Sequence, residues 1–190
     1  MESSPTNFRN LPNLLTGARI VAIPVVMVLL CFPGPLASFL GALFFMAAGA
    51  TDFLDGFIAR RQQLVSRFGK FMDPLADKLL VSAALIMLIP LGRVPAWIAF
   101  VIIGRELAVT GLRALAAAEG IILAPDRWGK TKTLLQMAAL TALILHYPYQ
   151  ALDFQRLGTG LLWLALIVTL TSGVGYFLTF FRQYPEAQQS

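Results

Sequence analysis

Charge, cysteine and histidine are all scarce in this sequence. Charged residues make up 13% of its 190 positions, against about a quarter in an ordinary soluble domain. That shortage excludes a chain whose whole surface meets water. The single cysteine, Cys31, excludes an intramolecular disulfide framework and argues against a thiolate metal centre; it reads as a small core residue. The single histidine, His146, falls at the outer edge of an apolar stretch, far from the acidic residues, which argues against a catalytic role. No internal repeat or low-complexity tract is visible. The opening MESSPTNFRN lacks the basic-then-apolar order of a cleaved signal peptide, so the first apolar helix is expected to stay with the chain.

In their place stands an excess of apolar side chains, 57% of the sequence. One small core cannot bury that much, so the remainder must face lipid. The length suits a single domain over residues 1–190. A bilayer core is crossed by roughly 20 apolar residues in a helix. The segments Leu14–Phe32, Leu36–Ala59, Pro74–Leu91, Ala96–Ala117, Thr131–His146 and Leu157–Phe181 qualify. The fold expected is therefore an all-α integral membrane bundle of six transmembrane helices. A short amphipathic segment, Asn7–Pro12, is expected to lie along the interface before them. Proline and glycine mark the joins at Phe32-Pro33-Gly34-Pro35, Pro90-Leu91-Gly92 and Tyr147-Pro148. Gly41 and Gly49 offer a place for close helix contact. Trp97, Trp163 and the tyrosines near 147–149 read as interfacial anchors or packing residues.

The net charge of +5 is distributed between apolar runs, which fits anionic lipid headgroups better than nucleic acid. Arg60, Arg61, Arg67 and Lys70 crowd one join, and Arg113, Arg127, Lys130 and Lys132 another. The alternate joins hold at most Arg93 or Arg156 alone. Positively charged loops stay inside, so both basic loops and both termini are expected in the cytoplasm.

Four aspartates interrupt this apolar background. On a helix Asp52, Asp55, Gly56, Ala59 and Arg60 share one face, and Asp73 and Asp77 are neighbours one turn apart at the start of the next span. A short loop forces the two helices antiparallel, which gathers four carboxylates at one cytoplasmic mouth. Carboxylates in a span are costly and usually functional, and four together repel unless cations bridge them. Oxygen-only ligands select hard cations, so magnesium or manganese is expected. Gly56, Ala59 and Gly69 leave room for a bulky ligand against the backbone, and Arg60 can counter a phosphate. Taken singly, each aspartate has a plainer reading as a cap or solvated residue; Asp73 before Pro74 suits a cap. Taken together, they describe a diphosphate site.

The pattern D-x2-D-G-x2-A-R-x8-G-x3-D-x3-D, filled by Asp52, Asp55, Gly56, Ala59, Arg60, Gly69, Asp73 and Asp77, resembles the signature of the CDP-alcohol phosphatidyltransferase family. The six-span layout resembles that family's too. The resemblance implies that Asp52, Asp55 and Asp73 ligate metal, and that Asp77 touches a second ion while acting as general base. It also implies that Gly56, Ala59 and Gly69 line the nucleotide pocket with Arg60 on the diphosphate. The implied reaction joins a hydroxyl to the phosphatidyl group of CDP-diacylglycerol and releases CMP. A homodimer in the bacterial inner membrane is likewise an implication of the family.

The acceptor is read from other residues. Asn13, Thr16 and Arg19 follow one another near the start of the first span. Gly104-Arg105-Glu106 falls inside the fourth, with Arg113 on the same face nearer the cytoplasm. Lys130 and Lys132 flank the start of the fifth. Arg105 and Glu106 have a plain reading as a buried pair between helices, and the lysines as positive-inside anchors. Convergence of Arg113, Lys130 and Lys132 on the acidic mouth instead suits an acceptor carrying its own phosphate, glycerol-3-phosphate or inositol phosphate rather than serine, ethanolamine or choline. These strings resemble the glycerol-3-phosphate-using bacterial branch of the family, which implies donor contacts for Asn13 and Thr16 and acceptor-phosphate contacts for Arg113, Lys130 and Lys132. Asp126-Arg127-Trp128 is bulkier than that resemblance leads one to expect. Three rival readings are a polyprenyl transferase, a metal-cation transporter and a non-catalytic interaction protein. The first would be longer and would lack the Gly56, Ala59 and Arg60 spacing; the second would show paired interrupted helices; the third would have no use for four metal-ready acids.

Overall fold

A computed structural model describes residues 11–62, 67–119, 121, 127–148 and 152–187, with side chains over 17–50, 75–119, 121, 131–148 and 152–184. Among the described residues six helices follow one another: α1 Leu11–Cys31, α2 Pro35–Gln62, α3 Arg67–Leu88, α4 Ala96–Ala118, α5 Arg127–Leu145 and α6 Phe154–Ala187. The described residues form no sheet, so the all-α expectation holds. Of the expected interfacial segment, Leu11 and Pro12 open α1, and Asn7–Asn10 lie outside the described residues.

The joins form where proline and glycine predict them. Gly34 (φ 131°) and Gly92 (φ 69°) take backbone conformations that side chains rarely tolerate. At the end of α3 the Gly92 amide donates to Ile89 O at 2.9 Å and the Arg93 amide to Leu88 O at 3.1 Å, which satisfies carbonyls the helix leaves open. Asp153 caps α6: its Oδ1 accepts from the Arg156 amide at 3.0 Å.

Five helices begin earlier than apolar pattern alone implies, α3 and α5 by the most. α3 starts at Arg67 rather than Pro74, and α5 at Arg127 rather than Thr131. Asp73 therefore sits within α3 instead of capping it. The reason is physical: hydropathy marks where lipid begins, whereas helical hydrogen bonding continues through the polar turns before it.

The core draws on every helix. Val26, Phe45, Leu80, Leu85, Ile98, Ile102, Leu140, Leu143 and Leu162 are each at most 2% exposed and form one cluster. α5 packs closely on α6 because Gly158 has no side chain; a Cβ there would stand 2.7 Å from Leu143 Cγ and 2.9 Å from the Leu143 backbone nitrogen. Gly49 on α2 accommodates Met137 of α5 in the same way, while Gly41 makes only ordinary contact with Ile144. Small residues at helix contacts are how bundles in lipid bring backbones together.

The outer surface is apolar. Val21, Leu36, Leu79, Phe100, Leu134 and Phe181 are all exposed. Trp97 and Trp163 meet edge to face at 5.5 Å on this surface. Within α6, Phe154–Tyr184 is long and apolar enough to cross a bilayer by itself. The apolar stretches Gly17–Cys31, Pro35–Ala50 and Thr131–Leu145 are shorter, and Lys78, Arg105 and Glu106 interrupt α3 and α4. Among the described residues there are six helices, of which one is long and apolar enough to cross a membrane by length and composition.

Candidate active site

The backbone assigns the acidic motif to two consecutive helices. Asp52, Asp55, Gly56, Ala59 and Arg60 lie in the C-terminal part of α2, and Gly69, Asp73 and Asp77 in the N-terminal part of α3. Of these side chains only Asp77 is among those described; the other seven fall outside them, as do Asn13, Thr16 and Lys130. The helices that carry them are nonetheless fixed by their neighbours. Arg19 of α1, 1% exposed, donates from Nε to the carbonyl of Ala48 on α2 at 3.2 Å. Ala48 is one turn before Asp52, so α1 grips α2 immediately ahead of its acidic face.

Asp77 lines a small open cleft, with about 20 Å³ of enclosed space, between α3, α4 and α5. Its polar lining is Asp77, Lys78, Ser82, Glu106, Lys132, Thr133 and Gln136, backed by Val81, Ile102 and Ile103. A polar network crosses the bundle at this level. Lys132 Nζ on α5 donates to Glu106 Oε1 on α4. Arg105 NH1 donates to the same oxygen at 3.1 Å, and Arg105 NH2 to Ser172 Oγ on α6 at 2.8 Å. Gly173 makes way for this arginine, since a Cβ there would lie 3.1 Å from both Arg105 Cγ and Nε. Gln136 Nε2 donates to Thr169 Oγ1 at 3.2 Å. Lys78 Nζ donates to Thr110 Oγ1, whose hydroxyl donates to Glu106 O at 2.6 Å. Two lysines and two carboxylates thus line one opening, with Arg105 paired to one of the carboxylates, in a bundle where unpaired charge is expensive.

The structure places Asp77, Glu106 and Lys132 on the walls of one cleft; Lys130, expected beside Lys132, has its side chain outside the described residues. Arg113 is exposed and within electrostatic reach of Lys78, so it approaches the same mouth. Arg105 and Glu106 are neighbours in sequence that pair with each other, and the bond between helices runs from Glu106 to Lys132. Lys78 was missed by sequence reasoning. Its signal was available: a lysine beside an aspartate, inside a stretch long enough to be read as a span. Gln136, Thr169 and Ser172 carried no such signal, being common in helices of every kind.

Among the described residues no three of histidine, cysteine, aspartate and glutamate gather to hold a metal. The donors that the sequence assigns to the end of α2 and the start of α3 are carboxylates only, which is chemistry that fits a hard divalent cation.

Comparison with known proteins decides the family. The family model for CDP-alcohol phosphatidyltransferase matches residues 9–171, which contain the whole acidic motif. The chain belongs to that family. It is therefore a phosphatidyltransferase. The chain is similar to the CDP-diacylglycerol–glycerol-3-phosphate 3-phosphatidyltransferase of Bacillus subtilis (strain 168), at 45% identity over 88% of this chain and 93% of that one. It is similar to the protein of the same description from Rickettsia bellii (strain RML369-C), at 44% identity with the same coverage of each. It also resembles a cardiolipin synthase (CMP-forming) of Oryza sativa subsp. japonica, at 40% identity over 74% of this chain but 47% of that protein.

Proposed function

We propose that this protein transfers the phosphatidyl group of CDP-diacylglycerol to glycerol-3-phosphate, giving phosphatidylglycerophosphate and CMP for phospholipid synthesis. The observation that carries the acceptor is the cleft in which Asp77 shares walls with Lys78 and Lys132. Near-full-length relatives described by that activity support it.

Asp52, Asp55 and Asp73 would hold a divalent cation, magnesium or manganese, with Asp77 beside them. Bound there, the cation would neutralise the donor's diphosphate and stabilise the charge on departing CMP. Arg60 adds a fixed positive charge to the diphosphate, and Gly56, Ala59 and Gly69 leave space for the nucleotide, with Asn13 and Thr16 at its edge. Arg113, Lys130 and Lys132 take the acceptor's phosphate. Asp77 removes the proton from the acceptor hydroxyl as its oxygen forms a bond to the phosphatidyl phosphorus. The bridging P–O bond breaks and its electron pair leaves with CMP. The donor's acyl chains require an opening to lipid, which the apolar exterior supplies.

Six spans, a cytoplasmic site in the bacterial inner membrane and a homodimer complete this reading. The clustering of arginine and lysine in the joins on one side supports the orientation.

The test is an assay in detergent with CDP-diacylglycerol, magnesium or manganese, and labelled glycerol-3-phosphate. CMP and phosphatidylglycerophosphate should form together, stop with EDTA and resume when either cation is restored. CMP release only with phosphatidylglycerol, inositol phosphate or serine would move the acceptor and keep the class. Release with no alcohol, alongside cation uptake by proteoliposomes, would support the transporter reading instead.

A further inference from the structure

We propose that Glu106 recognises a second hydroxyl of the acceptor, next to the one that reacts, so that the cleft selects a vicinal diol phosphate. This rests on the phosphatidyl-transfer reading above. A glutamate inside an apolar bundle is costly unless its charge is compensated and its hydrogen-bonding capacity used. Compensation is ample: Lys132 and Arg105 both close on Oε1. The arginine is in turn held by Ser172 and admitted by the bare backbone of Gly173. Two cations on one oxygen fix the carboxylate rigidly and leave the other oxygen to something else. Among the described residues Oε2 accepts no hydrogen bond, although the side chain is only 16% exposed and forms a wall of the cleft.

An ionised carboxylate can accept at both oxygens, so Glu106, a residue of the cleft wall, can pair with Lys132 and Arg105 through one and accept from a ligand through the other. The rest of the lining supplies the other groups such a ligand needs: the Asp77 carboxylate for the attacking hydroxyl and the Lys78 and Lys132 ammonium groups for a phosphate. Lys78 is held on α4 by Thr110, whose hydroxyl bonds the carbonyl of Glu106 itself, so the lysine and the glutamate keep a fixed separation. An acceptor lacking the second hydroxyl would cover Glu106 and leave its charge without a donor, and the site would resist it.

The experiment compares kcat/KM for glycerol-3-phosphate and for 3-hydroxypropyl phosphate, which differs only by the missing central hydroxyl. Wild type should prefer glycerol-3-phosphate by about 10- to 100-fold, the range for a hydrogen bond to a charged group. Glu106→Gln should reduce the ratio several-fold and Glu106→Ala should bring it near one. Because each ratio is taken within one variant, loss of folded protein cancels. A ratio that stays at the wild-type value in both variants, whatever their activity, overturns the proposal. So does a wild type that uses the two acceptors equally. A wild type that uses neither, yet releases CMP with another alcohol, refutes the glycerol-3-phosphate reading on which this one rests.

Discussion

Lys132 on α5 and Glu106 on α4 form an ion pair with 8% and 16% of their side chains exposed, and the pair stands on the wall of the cleft that contains Asp77. It joins two helices and presents charge to a ligand at once. Removing one partner leaves the other charge buried, which for enclosed pairs costs about 3–5 kcal/mol. Lys132→Ala should therefore lower the thermal midpoint in detergent, and Lys132→Met with Glu106→Gln should lower it by less than the sum of the two single changes. Additive losses would show that the pair is not energetically coupled.

Kinetics separate the lysine's second role. Lys130→Ala and Lys132→Ala should raise KM for glycerol-3-phosphate about tenfold or more, with KM for CDP-diacylglycerol little changed, since a lost phosphate contact is worth on the order of 1.5–3 kcal/mol. An effect confined to the donor would reassign both residues.

Asp77→Asn keeps the shape of the side chain and removes the base. Turnover should fall about 10²- to 10⁴-fold while KM for CDP-diacylglycerol stays within a few-fold. Full activity in the variant would strip Asp77 of the role.

Close packing gives a prediction unrelated to chemistry. Gly158→Val drives a side chain into the Leu143 backbone and should cost several kcal/mol by overpacking, read as a large drop in midpoint. Gly160→Val, on the same helix with no atom within 4 Å of an added Cβ, should change little.

At the other end of α5, Arg93 donates to the carbonyls of Leu143 and Ile144 at 3.2 and 3.1 Å and lies 3.4 Å from His146 Nε2. α5 ends at Leu145, so His146 follows the helix rather than closing its span. Burial, then the adjacent Arg93 charge, holds the imidazole below its ordinary 6.5. The unfolded chain therefore binds a proton that the folded one refuses. Stability should be level above pH 6.5 and decline as pH falls beneath it, until the folded imidazole also titrates. His146→Asn should flatten that decline in midpoint-against-pH measurements; an unchanged slope would assign it to other groups.

The sequence by itself determined the family chemistry and the class of fold. A spacing such as Asp52 with Asp55 and Asp73 with Asp77 is legible because residues one helical turn apart share a face, and turns are counted in residues. The helices were legible because lipid demands long apolar runs with every backbone hydrogen bond closed inside the segment. Their starts were not, because α3 and α5 extend through polar turns that hydropathy leaves out. What only the tertiary structure decided is which polar residues meet across helices. Lys132 with Glu106, Arg105 with Ser172 and Lys78 with Thr110 are separated by 26, 67 and 32 positions. No local period encodes such distances. They arise from how α3, α4, α5 and α6 rotate to bury Leu80, Ile102, Leu143 and Leu162, and that packing turns scattered polar side chains into one cleft beside Asp77.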